Sequence, residues 1–294
     1  MKTSLESKIA QICIVIGLTI VALICSYPFY YILIYSVSIP SEAVRGVYWI
    51  PAGFTMQNYI EIFRQNDILH AAFISVSRTI LGTALGVFCT SLFAFLLTQQ
   101  RLRFRMAIYR LVVVTMFLNA GLIPWYVTMV KLGFKNNFLL YIIPSAIGAF
   151  YLILVKTYME QIPPALQEAA MIDGAGPFKI YYKIIFPVSM PVIATIAIFM
   201  AVDQWNTWLD NFYLADIAQL QTLQKLLLGY LADQQAMVMS AMSKMQQQSS
   251  NSVKVTPTSI RMTITMVVML PVLLIYPIFQ KYFVKGIMIG AVKG

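Results

Sequence analysis

The chain has 294 residues, of which 60% are hydrophobic and only 11% charged, less than half the charged share of about 25% found in water-soluble domains. That excludes an ordinary cytosolic globular protein. Its 21 Lys and Arg against 11 Asp and Glu give a net charge of +10, which in a soluble chain would suggest a nucleic-acid partner, so the charge has to be placed along the chain before it is read.

Apolar runs of about 20 residues match the roughly 30 Å hydrocarbon core of a bilayer when helical. Six such runs predict transmembrane helices over 9–38, 73–98, 107–131, 137–157, 184–205 and 261–282 within one domain, 1–294. The first follows Lys2 and Lys8 as a signal peptide would, but passes through Tyr27, Pro28 and Tyr35 without a small-residue cleavage site, so it is read as a retained helix. No period of 20 to 50 residues repeats, which argues against a solenoid. Cys13, Cys25 and Cys89 all lie in apolar surroundings and imply neither a disulfide framework nor a clustered metal site.

Between the first two helices, Trp49-Ile50-Pro51-Ala52-Gly53-Phe54-Thr55 reads as a turn. Thr55 is placed to cap a short helix containing Tyr59, Ile62 and Phe63, an amphipathic element at the outer interface. The single His70 has no second imidazole beside it and is read as interfacial and structural. The cluster Arg101, Arg103, Arg105 and Arg110 lies in a short loop without interleaved aromatics; it is read as topogenic and lipid-facing, not as a nucleic-acid contact. With the N-terminus inside, twelve of the 21 basic residues and only four acids fall on the inner face. About +8 of the +10 then lies there, so both termini are predicted cytoplasmic.

Asn119, near the middle of the third run, precedes Gly121 and Pro124, which can kink a helix and free backbone carbonyls. Asn119 and the nearby Tyr126 are candidate pathway residues, because polar groups inside spans usually face a cavity. Asp203, Trp205 and Asn206 end the fifth run and offer the stacking and hydrogen-bonding groups a sugar needs, although Trp205 also suits the aromatic belt at the outer interface. Asp203 argues against a purely anionic ligand at that spot unless a basic group faces it.

The internal segment 158–184 is the most informative. Pro163 and Pro164 fit the first turn of a helix and Gly174 the position just past its end, so Ala165 to Asp173 should form a helix of only about 15 Å. Pro177 opens a second helix in which Phe178, Tyr181, Tyr182 and Ile185 share a face. From spacing alone the projection is equally a connector on the lipid headgroups, with Lys179 and Lys183 snorkelling, or a docking knob whose small residues let another protein approach closely. Gly174-Ala175-Gly176 is no phosphate loop, since no Gly-Lys-Ser/Thr follows. The external segment 211–260 starts with helical spacing at Leu220, Leu223, Leu226, Leu227 and Tyr230 and ends in the polar run Gln246 to Ser252, a linker or a contact for an external protein.

Glu168-Ala169-Ala170, three residues, Gly174, nine residues, Ile184 and then Pro187 resembles the EAA signature of permease subunits of bacterial ABC importers, with Phe186 where Leu is usual. Pro51 to Thr55 with Asn58-Tyr59, Asn119 to Pro124, Trp205-Asn206 and Lys285-Gly286 extend the resemblance to the carbohydrate-uptake, maltose-permease-like branch. Within that branch the chain looks most like the subgroup for aldouronate, pectin and alginate oligosaccharides. The resemblance implies an all-α polytopic protein of the type I ABC importer permease fold in the bacterial inner membrane. It also implies a homologous second permease subunit, two copies of an ATPase that carry ATP and Mg, and an external solute-binding protein. Glu168, Ala169, Ala170, Asp173 and Gly174 would form the ATPase-coupling helix. The chain itself is then a transporter subunit, not an enzyme, with no cofactor, no metal and no nucleic-acid partner. A permease for a peptide or phosphonate is the nearest alternative. An intramembrane hydrolase is disfavoured by the scarcity of mid-span acids and bases.

Overall fold

The computed structural model describes residues 5–64, 66–118, 120–232 and 256–291, with side-chain surroundings for most of them up to Ile275. Those residues are helical, apart from turns and one isolated bridge between Ser38 and Phe54. The chain divides into two compact units, Met1–Asn66 with Leu227–Leu270, and Asp67–Leu226 with Pro271–Gly294.

In the first unit, α1 (Leu5–Ser36) carries Pro28 inside it, and none of its most apolar window is buried by the described residues. Tyr27, Tyr31 and Tyr35 recur every four residues and form a ladder of rings 6.4 and 5.9 Å apart. The chain then turns through α2 (Pro40–Ala43) and runs back along α1. Tyr30 donates to the Trp49 carbonyl at 2.6 Å, and the Tyr27 and Trp49 rings lie 5.6 Å apart. The Pro51 to Tyr59 motif is what staples this return. Asn58, fully buried, donates to the carbonyls of Ser36 (2.8 Å) and Ser38 (3.0 Å), and Tyr59 shares a hydrogen bond with Ser36 Oγ. Thr55 Oγ1 accepts from the Gln57 amide and so caps α3 (Gln57–Arg64). Asn58→Ala would leave two buried carbonyls without their donor. We expect it to cost about 2 kcal/mol and to make the 40–56 segment markedly more sensitive to limited proteolysis in detergent.

In the second unit, α4 (Asn66–Thr98) is a continuous 33-residue helix. Thr79 and Ser91 donate to carbonyls one turn back, whereas Thr90 donates to the Ala146 carbonyl and the buried Thr83 hydroxyl has no hydrogen-bond partner among the described residues. Gly82 allows close approach to α11 (Met190–Asn206): a Cβ there would lie 2.6 Å from the Gln204 side-chain nitrogen. The single helix expected over 107–131 is instead two, α5 (Arg105–Phe117) and α6 (Leu122–Lys131). Leu118 is extended, Gly121 has φ +81, and Pro124 cannot donate a backbone hydrogen bond. The run 137–157 is likewise a 3-10 turn, Phe138–Tyr141, followed after Pro144 by α7 (Ala149–Met159). At 184–205 the helical path from Pro177–Val188 bends by 82° into α11, with Pro187 and Pro191 flanking the bend and Pro191 in the first turn of α11. The shorter elements are α8 (Ala165–Ile172), α9 (Pro177–Ile180) leading through a π turn into α10 (Phe186–Val188), and α12 (Leu209–Leu214), while α13 (223–232) has residues in both units. The final helix, α14 (Pro257–Ala291), belongs partly to each unit.

Three helices, Lys8–Ser36, Asp67–Thr98 and Pro257–Ile275, are each long and apolar enough to cross a membrane, and the bent pair Pro177–Asn206 passes the same test taken together. The breaks at Gly121, Pro124 and Pro144 explain why the other two apolar runs do not appear as single long helices.

Candidate functional site

Two places in the second unit combine polar chemistry with an open surface. The first is α8 with its following turn. Ala170 is buried in a core built from Ala94, Phe95, Leu152, Tyr181, Ile185 and Ile196. This core is tied down by the Ser91–Tyr181 hydroxyl pair at 2.8 Å and by a hydrogen bond of 3.1 Å from Gln99 to Gln167. Gly174 closes the helix in the left-handed region, φ +74. Its amide donates to Met171 and that of Ala175 to Ala170, so the terminal carbonyls are satisfied. The remaining face is open. Glu168, Ala169 and Asp173 are exposed, and Ile172 is 86% exposed with Leu166 and Met171 beside it. Of the five residues expected to couple to an ATPase, four therefore lie on the open side and Ala170 anchors the helix from beneath. An apolar side chain as uncovered as Ile172 at the tip of a well-anchored short helix suits burial against another protein.

The second place is a cavity of about 420 Å³ beside the middle of α4, lined there by Arg78 and Gly82. Beside it Arg78 and Asp210 form a buried bidentate ion pair, 3.1 and 2.7 Å, their side chains only 4% and 11% exposed. The Arg78 guanidinium also donates to Gln204 Oε1 and the Thr207 carbonyl, 3.0 Å each, and lies over the Tyr141 ring. Asn211 extends the network, donating to Tyr141 Oη and the Leu220 carbonyl and accepting from Thr222. Buried charges persist only when paired and hydrogen-bonded, and here every member has partners. On the cavity wall, Tyr151 donates to Asp203 Oδ2 at 2.5 Å, and Gln204 Nε2 donates to Ser145 at 2.6 Å. Trp125 completes an aromatic surface with Tyr151.

The structure does not gather the candidate pathway residues into one site. Asp203 lines the cavity. Trp205 is buried on an apolar groove formed with Val76, Ile80, Phe199 and Val272. Tyr126 packs against the core of Leu140, Tyr141 and Leu214, and Asn206 is exposed and accepts from Gln224. Asn119 lies outside the described residues, as do Gln246 to Ser252. Arg78, Trp125, Tyr151 and Asp210 were not singled out from the sequence; the one available signal was a cation, Arg78, five residues inside an apolar run. His70 is exposed and its Nε2 lies 2.9 Å from the Gln219 carbonyl. Among the described residues no group of three or more His, Cys, Asp and Glu could hold a metal ion.

Residues 82–289 match the family described as binding-protein-dependent transport system inner membrane components. The polygalacturonan/rhamnogalacturonan transport system permease protein YtcP of Bacillus subtilis (strain 168) is 36% identical over 274 residues, 93% of this chain and 94% of its own length. Protein LplC of the same organism is 31% identical over 296 residues, covering 100% of this chain and 98% of its own. Among solved structures, a chain from the crystal structure of a bacterial ABC transporter involved in the import of the acidic polysaccharide alginate superposes with a TM-score of 0.85. It is 26% identical, with 96% of this chain and 99% of that chain covered.

Proposed function

Because the chain belongs to the family of inner membrane components of binding-protein-dependent transport systems, we propose that it is a membrane-spanning subunit of an ATP-driven importer of oligo- and polysaccharides. Uronate-containing fragments such as those of pectin and alginate fall within that range. Such a subunit is a multi-pass inner-membrane protein and not an enzyme. It works with a second permease, an ATPase and an external binding protein. The assembly we propose has two ATPase copies holding ATP and Mg, both termini of this chain in the cytoplasm and six crossings, the two broken runs each counting as one. Relatives handling rhamnogalacturonan and alginate support the saccharide class.

The observation that carries the coupling reading is α8: a short helix seated on the core through Ala170, with Leu166, Ala169, Ile172 and Asp173 turned outward. In this reading the ATPase receives that face, and closure of the ATPase pair moves α8 as a rigid body with the core beneath it. Gly174→Asp tests it. The φ of +74 is one that Asp adopts at a cost of about 1 kcal/mol, and no atom would meet the new Cβ. The variant is therefore expected to insert normally while losing the stimulation of ATP hydrolysis by cargo-loaded binding protein. Unchanged uptake of oligogalacturonate in proteoliposomes carrying the complete importer would defeat the assignment. ATP-dependent uptake of a peptide or phosphonate in place of the saccharide would favour the other cargo class.

A further inference from the structure

The cavity beside Arg78 has an unequal supply of hydrogen-bonding groups. Arg78 is neutralised by Asp210 and spends its donors on Asp210, Gln204 and Thr207. Gln204 is engaged at both ends, its oxygen by Arg78 and its nitrogen by Ser145. The Tyr151 hydroxyl hydrogen is given to Asp203, and the Tyr151 ring is fixed between Phe150 and Phe199, 5.7 and 6.5 Å away. The charge on this wall that no described cation offsets belongs to Asp203, which is exposed to the cavity. The wall therefore combines a carboxylate acceptor with aromatic surface from Trp125 and Tyr151.

We propose that Asp203, oriented by Tyr151, determines which face of a passing sugar this subunit receives: it accepts pyranose hydroxyls and turns carboxylates away. This rests on the saccharide reading above and sharpens it. A uronate would pass with its ring hydroxyls toward Asp203 and its carboxylate toward the opposite side of the pathway, and a more densely charged fragment would be held back. The carboxylate is a specificity determinant here and not a general affinity group, because a hydroxyl and a carboxylate meeting it feel interactions of opposite sign.

The test uses the complete importer in proteoliposomes and two cargoes, trigalacturonate and its neutral trimethyl ester. Asp203→Asn keeps the size and the acceptor oxygen and removes the charge. It is expected to raise the ratio of acid to ester uptake roughly tenfold, the scale of one unit charge a few ångströms from a carboxylate in a part-wet site. The preference of the unaltered binding protein cancels when the variant's ratio is divided by that of wild type. Tyr151→Phe leaves the charge in place, so total uptake should fall while the ratio stays within about twofold of wild type. A ratio unmoved by Asp203→Asn, equal loss of both cargoes in an intact complex, or a Tyr151→Phe ratio that follows Asp203→Asn would each overturn the inference. A wild-type importer that moves neither trimer would overturn the saccharide reading, and this inference with it.

Discussion

Arg78→Ala is expected to destabilise the chain by about 3–5 kcal/mol, the cost of breaking a buried ion pair by removing one partner. The substitution does more than delete an attraction. It strands the Asp210 carboxylate in a site where its side chain is only 11% exposed, and it deprives Gln204 Oε1 and the Thr207 carbonyl of their donor. It also empties the space over the Tyr141 ring. Folded domains are stable by about 5–15 kcal/mol, so the loss takes a large share. Thermal unfolding of the detergent-solubilised complex, followed by tryptophan fluorescence, should show it as a drop of several degrees or more. Arg78→Lys should fall between, because an ammonium cannot grip Asp210 at two points while also reaching Gln204. Replacing both charges, Arg78→Met with Asp210→Leu, should recover most of the stability, since two apolar groups leave no orphaned charge. If Arg78→Ala unfolded within about 1 kcal/mol of wild type, the pair would not be the clamp described.

Ile172→Asp should have the opposite profile, sparing the fold and abolishing ATPase binding. Ile172 is 86% exposed, so its removal withdraws little from the core of this chain. If the tip of α8 enters a groove on the ATPase, the variant forfeits the burial of one large apolar side chain, about 2–3 kcal/mol, and forces a carboxylate out of water as well. Together these exceed about 3 kcal/mol, a weakening of 100-fold or more. Co-purification of the ATPase with the permease pair measures this directly, with the unfolding temperature of the permease alone as the control. Ala170→Leu offers the contrast. It intrudes on the core under α8 and should lower the unfolding temperature itself, at about 1–3 kcal/mol for overpacking. Normal ATPase recovery with Ile172→Asp would place the docking surface elsewhere.

Hydropathy made the apolar runs legible because a bilayer demands length and continuity, and the Pro163-Pro164 and Gly174 punctuation located α8 to within a residue or so. Hydropathy cannot see a break inside an apolar run. Leu118, Ala120 and Gly121 are apolar or small enough to read as membrane around the single polar Asn119, yet an extended Leu118 and a positive φ at Gly121 split the run, and Pro144 does the same to the next. The cavity was less legible for a related reason. Arg78 and Asp210 stand 132 positions apart, and a lone cation near the start of an apolar helix reads as a flank until its acid is known. Tyr151 looks like any other aromatic in an apolar helix until Asp203 is found beside its hydroxyl. Trp205, the residue with the most suggestive chemistry, is turned to an apolar groove because it is adjacent to Gln204, and consecutive helical residues do not share a face.

Helix α4 carries Arg78 in its first half and, in its last turns, Ser91 and Phe95, which with Gln99 just beyond its end hold the seat of α8. Arg78 and Phe95 are about 26 Å apart along the axis at 1.5 Å per residue, and the helix between them contains no proline. Its neighbours α6 and α11, by contrast, start beside prolines and glycines. A strut of this kind makes the two ends thermodynamically reciprocal. If engagement of α8 shifts the Arg78–Asp210 end by some free energy, then occupancy of that end shifts the engagement of α8 by the same amount. On the coupling reading proposed above, an ATPase seated on α8 would be informed of cargo by the same helix through which it acts on it.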